Sequence, residues 1–317
     1  MRSFLGPSLL AIGLLFATGC GSDEASDTGT TTTVASTTSA ESSSTTTGGG
    51  TTTLVDTTTT AATGSSTTSA PAPDGADVNV YWSWTIPTVA SGTPERLGAG
   101  GRPADEATPA SAMAALLAGP SDIEAEIGMG SEIPTGTELL GVEVDDGTAT
   151  VDLNAAFEES SGTLAETLRI AQVVFTLTQF DDIDTVRFRI DGVDVDALGS
   201  HGIDVSSGLD RDGFTDVRAH IMVETPTPGA VVGDRLVIEG ESNTFEANVL
   251  WVVTDGEGLI VAEGNTTADG GNGTWGRFET VVELPADLSG RGAVIVFDES
   301  AEDGSQVDVV EYPVEFA

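Results

Sequence analysis

The chain holds few groups able to do covalent chemistry. Cys20 is its only thiol, and His201 and His220 are its only imidazoles. Nucleophilic hydrolysis needs a serine or cysteine, a base and an orienting group within reach. His201 sits in Gly199-Ser200-His201-Gly202, a glycine-bracketed loop, and His220 opens an expected strand. Neither has a G-x-S-x-G neighbourhood. A hydrolase would need the fold to join one of them to a serine and a carboxylate, so no catalytic residue is expected. Zinc ligation fails for want of thiolates and imidazoles. Carboxylates are plentiful. Asp210-Arg211-Asp212-Gly213 carries the D-x-D-G fragment of some calcium loops, and Asp181-Asp182-Ile183-Asp184 gathers three acids. The remaining ligand positions are missing, so both read as solvated loops, and no metal or cofactor is expected. Gly98-Ala99-Gly100-Gly101 follows no strand–helix fingerprint and brings no lysine, which argues against a phosphate cradle. Stacking on sugar rings would draw on Tyr81, Trp82, Trp84 and Trp275. Alternation puts Trp82 and Trp84 together on a core-facing strand face, leaving Trp275 as the better exposed candidate.

The thiol has the clearest context. Arg2 precedes an apolar stretch over residues 9–16, and Ala17-Thr18-Gly19 leads into Cys20. The stretch is a secretory signal, too short for a bilayer core of about 30 Å. Ending at a cysteine, it resembles a bacterial lipobox. That resemblance implies a signal peptide over 1–19, cleavage before Cys20, and lipid on its sulfur and new amino terminus. The expected partner at Cys20 is therefore the lipid bilayer, with the protein extracytoplasmic on the outer face of the cell membrane. Several acyl chains make such an anchor stable. With one cysteine there is no intramolecular disulfide, so the folded part stands on apolar cores.

The 317 residues carry 51 acidic side chains against 11 basic ones, all arginine, for a formal charge of -40. That field repels nucleic acid and anionic headgroups, which excludes DNA or RNA as a partner. An arginine-only, Asp- and Ala-rich composition is what GC-rich coding gives; adaptation to salt is the alternative.

Ser and Thr fill most of residues 28–70. Such a segment has too little apolar surface to offset its ordering entropy, so residues 20–76 read as a lipid anchor and disordered stalk spanning about 40–45 Å r.m.s.. Folded sequence starts at 77. Val80, Trp82, Trp84 and Ile86 alternate with Tyr81, Ser83 and Thr85, as in a half-buried strand. Thr108 as N-cap, Pro109 as first helical residue and Gly119-Pro120 as stop frame a helix with Met113, Leu116 and Leu117 inward. A hairpin follows, 138–144 and 148–153 around Asp145-Asp146-Gly147. The capping box Thr163-x-x-Glu166 opens a second helix. Its expected buried stripe is Leu164, Leu168, Ala171 and Phe175, flanked by Ile170, Val174 and Leu177. Glu166, Arg169, Gln172 and Gln179 are expected to face water. A strand at 185–190 completes β-α-β-β-α-β, a two-layer α+β sandwich over 77–217. Residues 218–317 show strands alone, at 220–224, 235–240, 248–254, 259–264, 277–284, 293–298 and 307–316. Regular spacing and turn signals predict an immunoglobulin-like sandwich with Trp251 in its core.

The residues also resemble two domain families. Residues 112–120, Pro134-Thr135-Gly136-Thr137-Glu138-Leu139-Leu140 through Leu153, and Gln172 to Thr178 followed by Val186 to Gly192, look like the GerMN domain of sporulation and spore-germination proteins. Ile221 through Pro226-Thr227-Pro228-Gly229, Val237-Ile238-Glu239-Gly240, Phe245-Glu246 and Tyr312-Pro313-Val314-Glu315-Phe316 resemble the spore-germination immunoglobulin-like domain, Gmad2. The resemblance implies an envelope protein without catalytic residues. GerMN domains are similar to ring-building modules, and they also occur in lipoproteins of non-sporulating bacteria, with a role in envelope sensing. The expected function is a tethered, non-catalytic envelope scaffold or interaction module, pairing with itself or an envelope protein through 77–217. The alternative is a wall-glycan-binding lipoprotein, and behind it an accessory to a wall hydrolase.

Overall fold

The computed structural model describes residues 76–86 and 95–317. The expected signal peptide, Cys20 and the expected stalk, up to residue 75, lie outside the described residues. All described residues belong to one compact unit.

Strand β1 (Ala76–Thr85) pairs antiparallel with β2 (Glu95–Ala104). The expected half-buried strand is buried on both faces. Val80, Trp82 and Trp84 line one face, and Tyr81 on the other packs its ring 5.5 Å from Phe175. Strand β2 was not expected, since its Gly98-Ala99-Gly100-Gly101 run reads as a loop. Bulk on the neighbouring strand explains it. A Cβ at Gly98 would stand 2.8 Å from the Trp84 ring, and one at Gly100 would stand 2.7 Å from Trp82 Nε1. Glycine is what lets the two indoles lie across β2.

Helix α1 (Pro109–Ala118) has the expected ends: Thr108 accepts the Ser111 N–H, and Gly119 turns out at φ 84. Helix α2 (Asp122–Glu126) was missed. It opens on a capping box in which Ser121 and Glu124 exchange side chain-to-backbone bonds. Strand β3 (Met129–Gly130) then adds briefly to β1. The hairpin of β4 (Leu139–Asp145) and β5 (Thr148–Leu153) turns through Asp146 and Gly147, at φ 45 and 76, as a two-residue turn of primed type requires. Helix α3 (Thr163–Leu177) crosses over to β6 (Thr185–Ile190), which pairs parallel with β5. Strand β7 (Val193–Asp194) completes the sheet β4-β5-β6-β7.

Helix α3 departs from the expected one-sided stripe. Its N-cap is Gly162, with no side-chain cap, so Thr163-x-x-Glu166 is not a capping box. Leu164 is exposed, whereas Glu166, Arg169 and Gln172 are buried. The cause is an incomplete edge on β1. Past β3 no strand covers Asn79 and Tyr81, and two glutamines take its place. Gln172 donates to the Tyr81 carbonyl at 2.9 Å, while Gln179 donates to the Asn79 carbonyl and accepts its N–H, both at 2.7 Å. Arg169 donates to the carbonyls of Glu132, Phe157 and Glu159. Buried or half-buried and hydrogen-bonded, these polar groups hold the helix between two sheets.

A small hairpin, β8 (Ala197–Leu198) with β9 (Ile203–Asp204), and a 3-10 turn at Arg211–Phe214 lead into the second domain. It is a sandwich of two sheets. One contains β10 (Ile221–Thr225), β12 (Arg235–Ser242) and β15 (Gly276–Glu283). The other has the order β11 (Val231–Val232), β17 (Gln306–Phe316), β16 (Gly290–Glu299), β13 (Asn248–Asp255) and β14 (Ile260–Thr267). The seven expected strands are all present, and Trp251 is in the core with Gly264 beneath its ring.

Candidate functional site

The densest chemistry among the described residues lies where the two domains meet. Arg211, from the turn before the second domain, lies 5.3 Å from the Tyr81 ring centre and 4.9 Å from that of Phe175. It donates to the Tyr81 hydroxyl at 3.1 Å and to Glu241 at 2.8 Å. Tyr81 donates in turn to Glu224 at 2.5 Å. Arg218 grips the other oxygen of Glu241 at 2.5 Å and lies 4.6 Å from the Trp275 ring centre. Arg277 closes the cluster onto Glu224 and Glu239.

Charge balance keeps Arg211 and Glu241 ionised although both are largely withdrawn from water. Burial opposes the Arg211 charge, but Tyr81, Glu241 and Glu224 outweigh it and hold its pKa above the ordinary arginine value. Burial likewise works against ionised Glu241, and Arg211, Arg218 and Arg277 reverse the balance, leaving its pKa below the usual carboxylate range. The Tyr81 phenol is pushed well up, mainly by burial and against the pull of Arg211. It stays a hydrogen-bond donor, and the cluster works as a joint. Nearby, the Tyr312 hydroxyl donates to the Ala99 carbonyl at 2.9 Å, and its ring lies 5.7 Å from that of Trp84. Beside this contact a groove of about 1060 Å³ opens between α2 and the outer face of β16 and β17, lined by Trp84, Ile123, Ile127, Arg291 and Glu311.

The structure does bring His201 to a serine and a carboxylate. Ser200 Oγ donates to Glu166 Oε1 at 2.7 Å, and His201 Nδ1 lies 2.8 Å from Glu166 Oε2. In a nucleophilic triad the imidazole stands between hydroxyl and acid, one nitrogen to each. Here both groups bind one carboxylate, and Nδ1 is the ring nitrogen facing the hydroxyl as well, at 3.2 Å. The Ser200 hydrogen bond leads the forces that hold the Glu166 pKa far below normal, with His201 adding to it against the opposing effect of burial. The cluster anchors the β8–β9 loop to α3. His220 pairs instead with buried Asp308, at 3.0 Å.

The aromatic candidates for sugar stacking are otherwise engaged. Tyr81, Trp82 and Trp84 are buried. Trp275 is half-buried, with Arg218 on its face and its N–H donated to the Ala219 carbonyl. Among the acidic loops, Asp210 caps its own turn through the Gly213 N–H, and the described residues hold no cluster arranged to bind a metal ion. Sequence reasoning missed the junction cluster. Arg211, Arg218, Glu224 and Glu241 look like surface charges in an acidic chain, and their one signal is that arginine is scarce.

Comparison with known families agrees with this two-part architecture. A family described as sporulation and spore germination, Germane, matches residues 79–196, and the immunoglobulin-like domain of bacterial spore germination, Gmad2, matches 220–305. The chain carries a Germane domain followed by a Gmad2 domain. Both descriptions name sporulation or spore germination and neither names a reaction. The first GerMN domain of the sporulation protein GerM from Bacillus subtilis is 21% identical, over 43% of this chain and 98% of that one, with a TM-score of 0.35. The tandem GerMN domains of the same protein are 16% identical, over 66% of this chain and 61% of that one, with a TM-score of 0.36. No curated protein matches the chain. The Germane domain contributes Tyr81 and Phe175 to the junction, the segment between the two matches contributes Arg211 and Arg218, and the Gmad2 domain contributes Glu224, Glu241 and Arg277.

Proposed function

We propose that this chain is an extracytoplasmic lipoprotein, anchored through Cys20, whose joined Germane and Gmad2 domains act as a non-catalytic scaffold. The observation that carries the reading is the junction itself. Two domains from sporulation and germination families share a buried ionic and aromatic joint, which suits fixed presentation of surfaces rather than turnover. The lipobox-like sequence at Cys20 supports the tether.

Pairing with a second copy or an envelope protein would run through residues 77–217. Strand β4 stands at the edge of its sheet and exposes Leu140 and Val144. Exposed apolar residues on an edge strand are suited to adding another chain. Sedimentation velocity on residues 67–317 across a range of concentrations tests this. The expected result is a mass that rises with concentration and falls back when Leu140 and Val144 are both changed to lysine. A monomer throughout removes self-pairing. The glycan alternative is weaker, because its aromatic platforms are occupied.

A further inference from the structure

One aromatic ring of the described residues stands in water. Phe245 is 54% exposed, while every other described Phe, Tyr and Trp is buried or half-buried. It sits on the 3-10 turn Phe245–Ala247 that leads into β13. The next two residues, Glu246 and Ala247, take φ of 54 and 58. Left-handed backbone is disfavoured for side chains of these types, which lack the local hydrogen bonding that lets Asn or Asp adopt it.

Main-chain bonds hold this conformation in place. The Phe245 N–H donates to Asp298 Oδ2 at 3.1 Å, that of Glu246 to Asn272 Oδ1 at 3.2 Å, and that of Ala247 to the Thr244 carbonyl at 3.2 Å. Gly271 lies against Ala247 so closely that a Cβ there would come within 2.6 Å of its nitrogen. None of these bonds uses the Phe245 ring, so the turn would form equally with a polar residue at 245. An exposed aromatic held on a firmly bonded, disfavoured turn points from conformation to function.

We infer that Phe245 is the anchor by which the Gmad2 domain grips a protein partner bearing an apolar socket rimmed with lysine or arginine. Buried aromatic anchors carry much of the energy of protein interfaces. The rim follows from charge: exposed Glu246 lies on the turn, half-buried Asp298 accepts the Phe245 N–H, and exposed Glu299 follows Asp298 in β16. The arginine ion pairs of the described residues all fall on other carboxylates. This collar would repel an anionic membrane, and it would meet its own like charges on the same turn of a second copy.

The test places photoreactive benzoylphenylalanine at position 245 of the full chain in its own cells, with Leu259, 66% exposed, as the control position. The expected product is a protein adduct formed from 245 and not from 259, whose crosslinked peptide holds apolar residues flanked by Lys or Arg. With that partner purified, Phe245→Ala should weaken binding about 30-fold or more, as expected of an anchor. Phe245→Trp should stay within a few fold, Glu246→Gln should reduce the salt dependence, and the melting temperature of Phe245→Ala should be unchanged. An adduct with lipid, with another copy of the chain, or at the same level from 259 overturns the proposal. So does partner binding that Phe245→Ala leaves intact.

Discussion

Arg211, in the segment between the two matched domains, and Glu241 of the Gmad2 domain meet at 2.8 Å, with the Arg211 guanidinium over the rings of Tyr81 and Phe175. A buried pair of this kind is a modest source of stability, but removing one partner strands the other. Arg211→Ala should therefore cost about 3 kcal/mol. Urea unfolding followed by tryptophan fluorescence checks this, since Trp82 and Trp84 report the first domain and Trp251 and Trp275 the second. The unsubstituted protein should unfold in one transition. Two separate transitions would mean that the joint does not couple the domains.

Acid should act on the same joint. The pKa of Glu241 is lowered in the folded state, as are those of Glu124 and Glu166. A carboxylate with a depressed folded pKa stabilises the fold above its unfolded pKa, about 4.3, and loses that contribution as pH falls through the folded value. Stability should drop below about pH 4, against a partial gain from weaker self-repulsion among 51 acidic residues. Glu241→Gln should flatten the acid slope and lower stability at pH 7. An unchanged slope would remove Glu241 from the account.

Glycine in β2 gives a third check. A Cβ at Gly100 would fall 1.8 Å from Glu124 Oε1, so Gly100→Ala should destabilise by about 1–3 kcal/mol. Gly141→Ala is the control, because nothing lies within 4 Å of its added Cβ. Thermal melting of the two variants separates close packing from a general loss of backbone freedom.

The Ser200–Glu166–His201 cluster yields a chemical prediction. With the hydroxyl hydrogen donated to the carboxylate, Ser200 should not react with a fluorophosphonate probe, as read by intact-protein mass. Stoichiometric labelling at Ser200 would reopen the hydrolase reading.

Much of this fold was legible where local chemistry decides. The Thr108 cap, the Gly119 stop, the Asp146-Gly147 turn and the seven sandwich strands follow from residue type and period. Legibility failed where a distant group sets the answer. Strand β2 lacks a side-chain period because Trp82 and Trp84 supply its volume from the neighbouring strand. Gln172 and Gln179 look like solvent-facing residues, yet they complete the edge of β1. Glu166 fits a capping box three residues after Thr163, but its carboxylate is taken by Ser200 and His201, more than thirty residues away. The junction was hidden for the same reason, since Tyr81 and Glu224 are 143 positions apart.

The tether is the claim on which the proposed role depends. Intact-mass analysis of the protein purified from cell membranes, with sequencing of its first peptide, tests it most directly. The account predicts a chain that begins at Cys20 and carries acyl groups. A chain that keeps residues 1–19, bears no lipid and fractionates with the cytosol would contradict it.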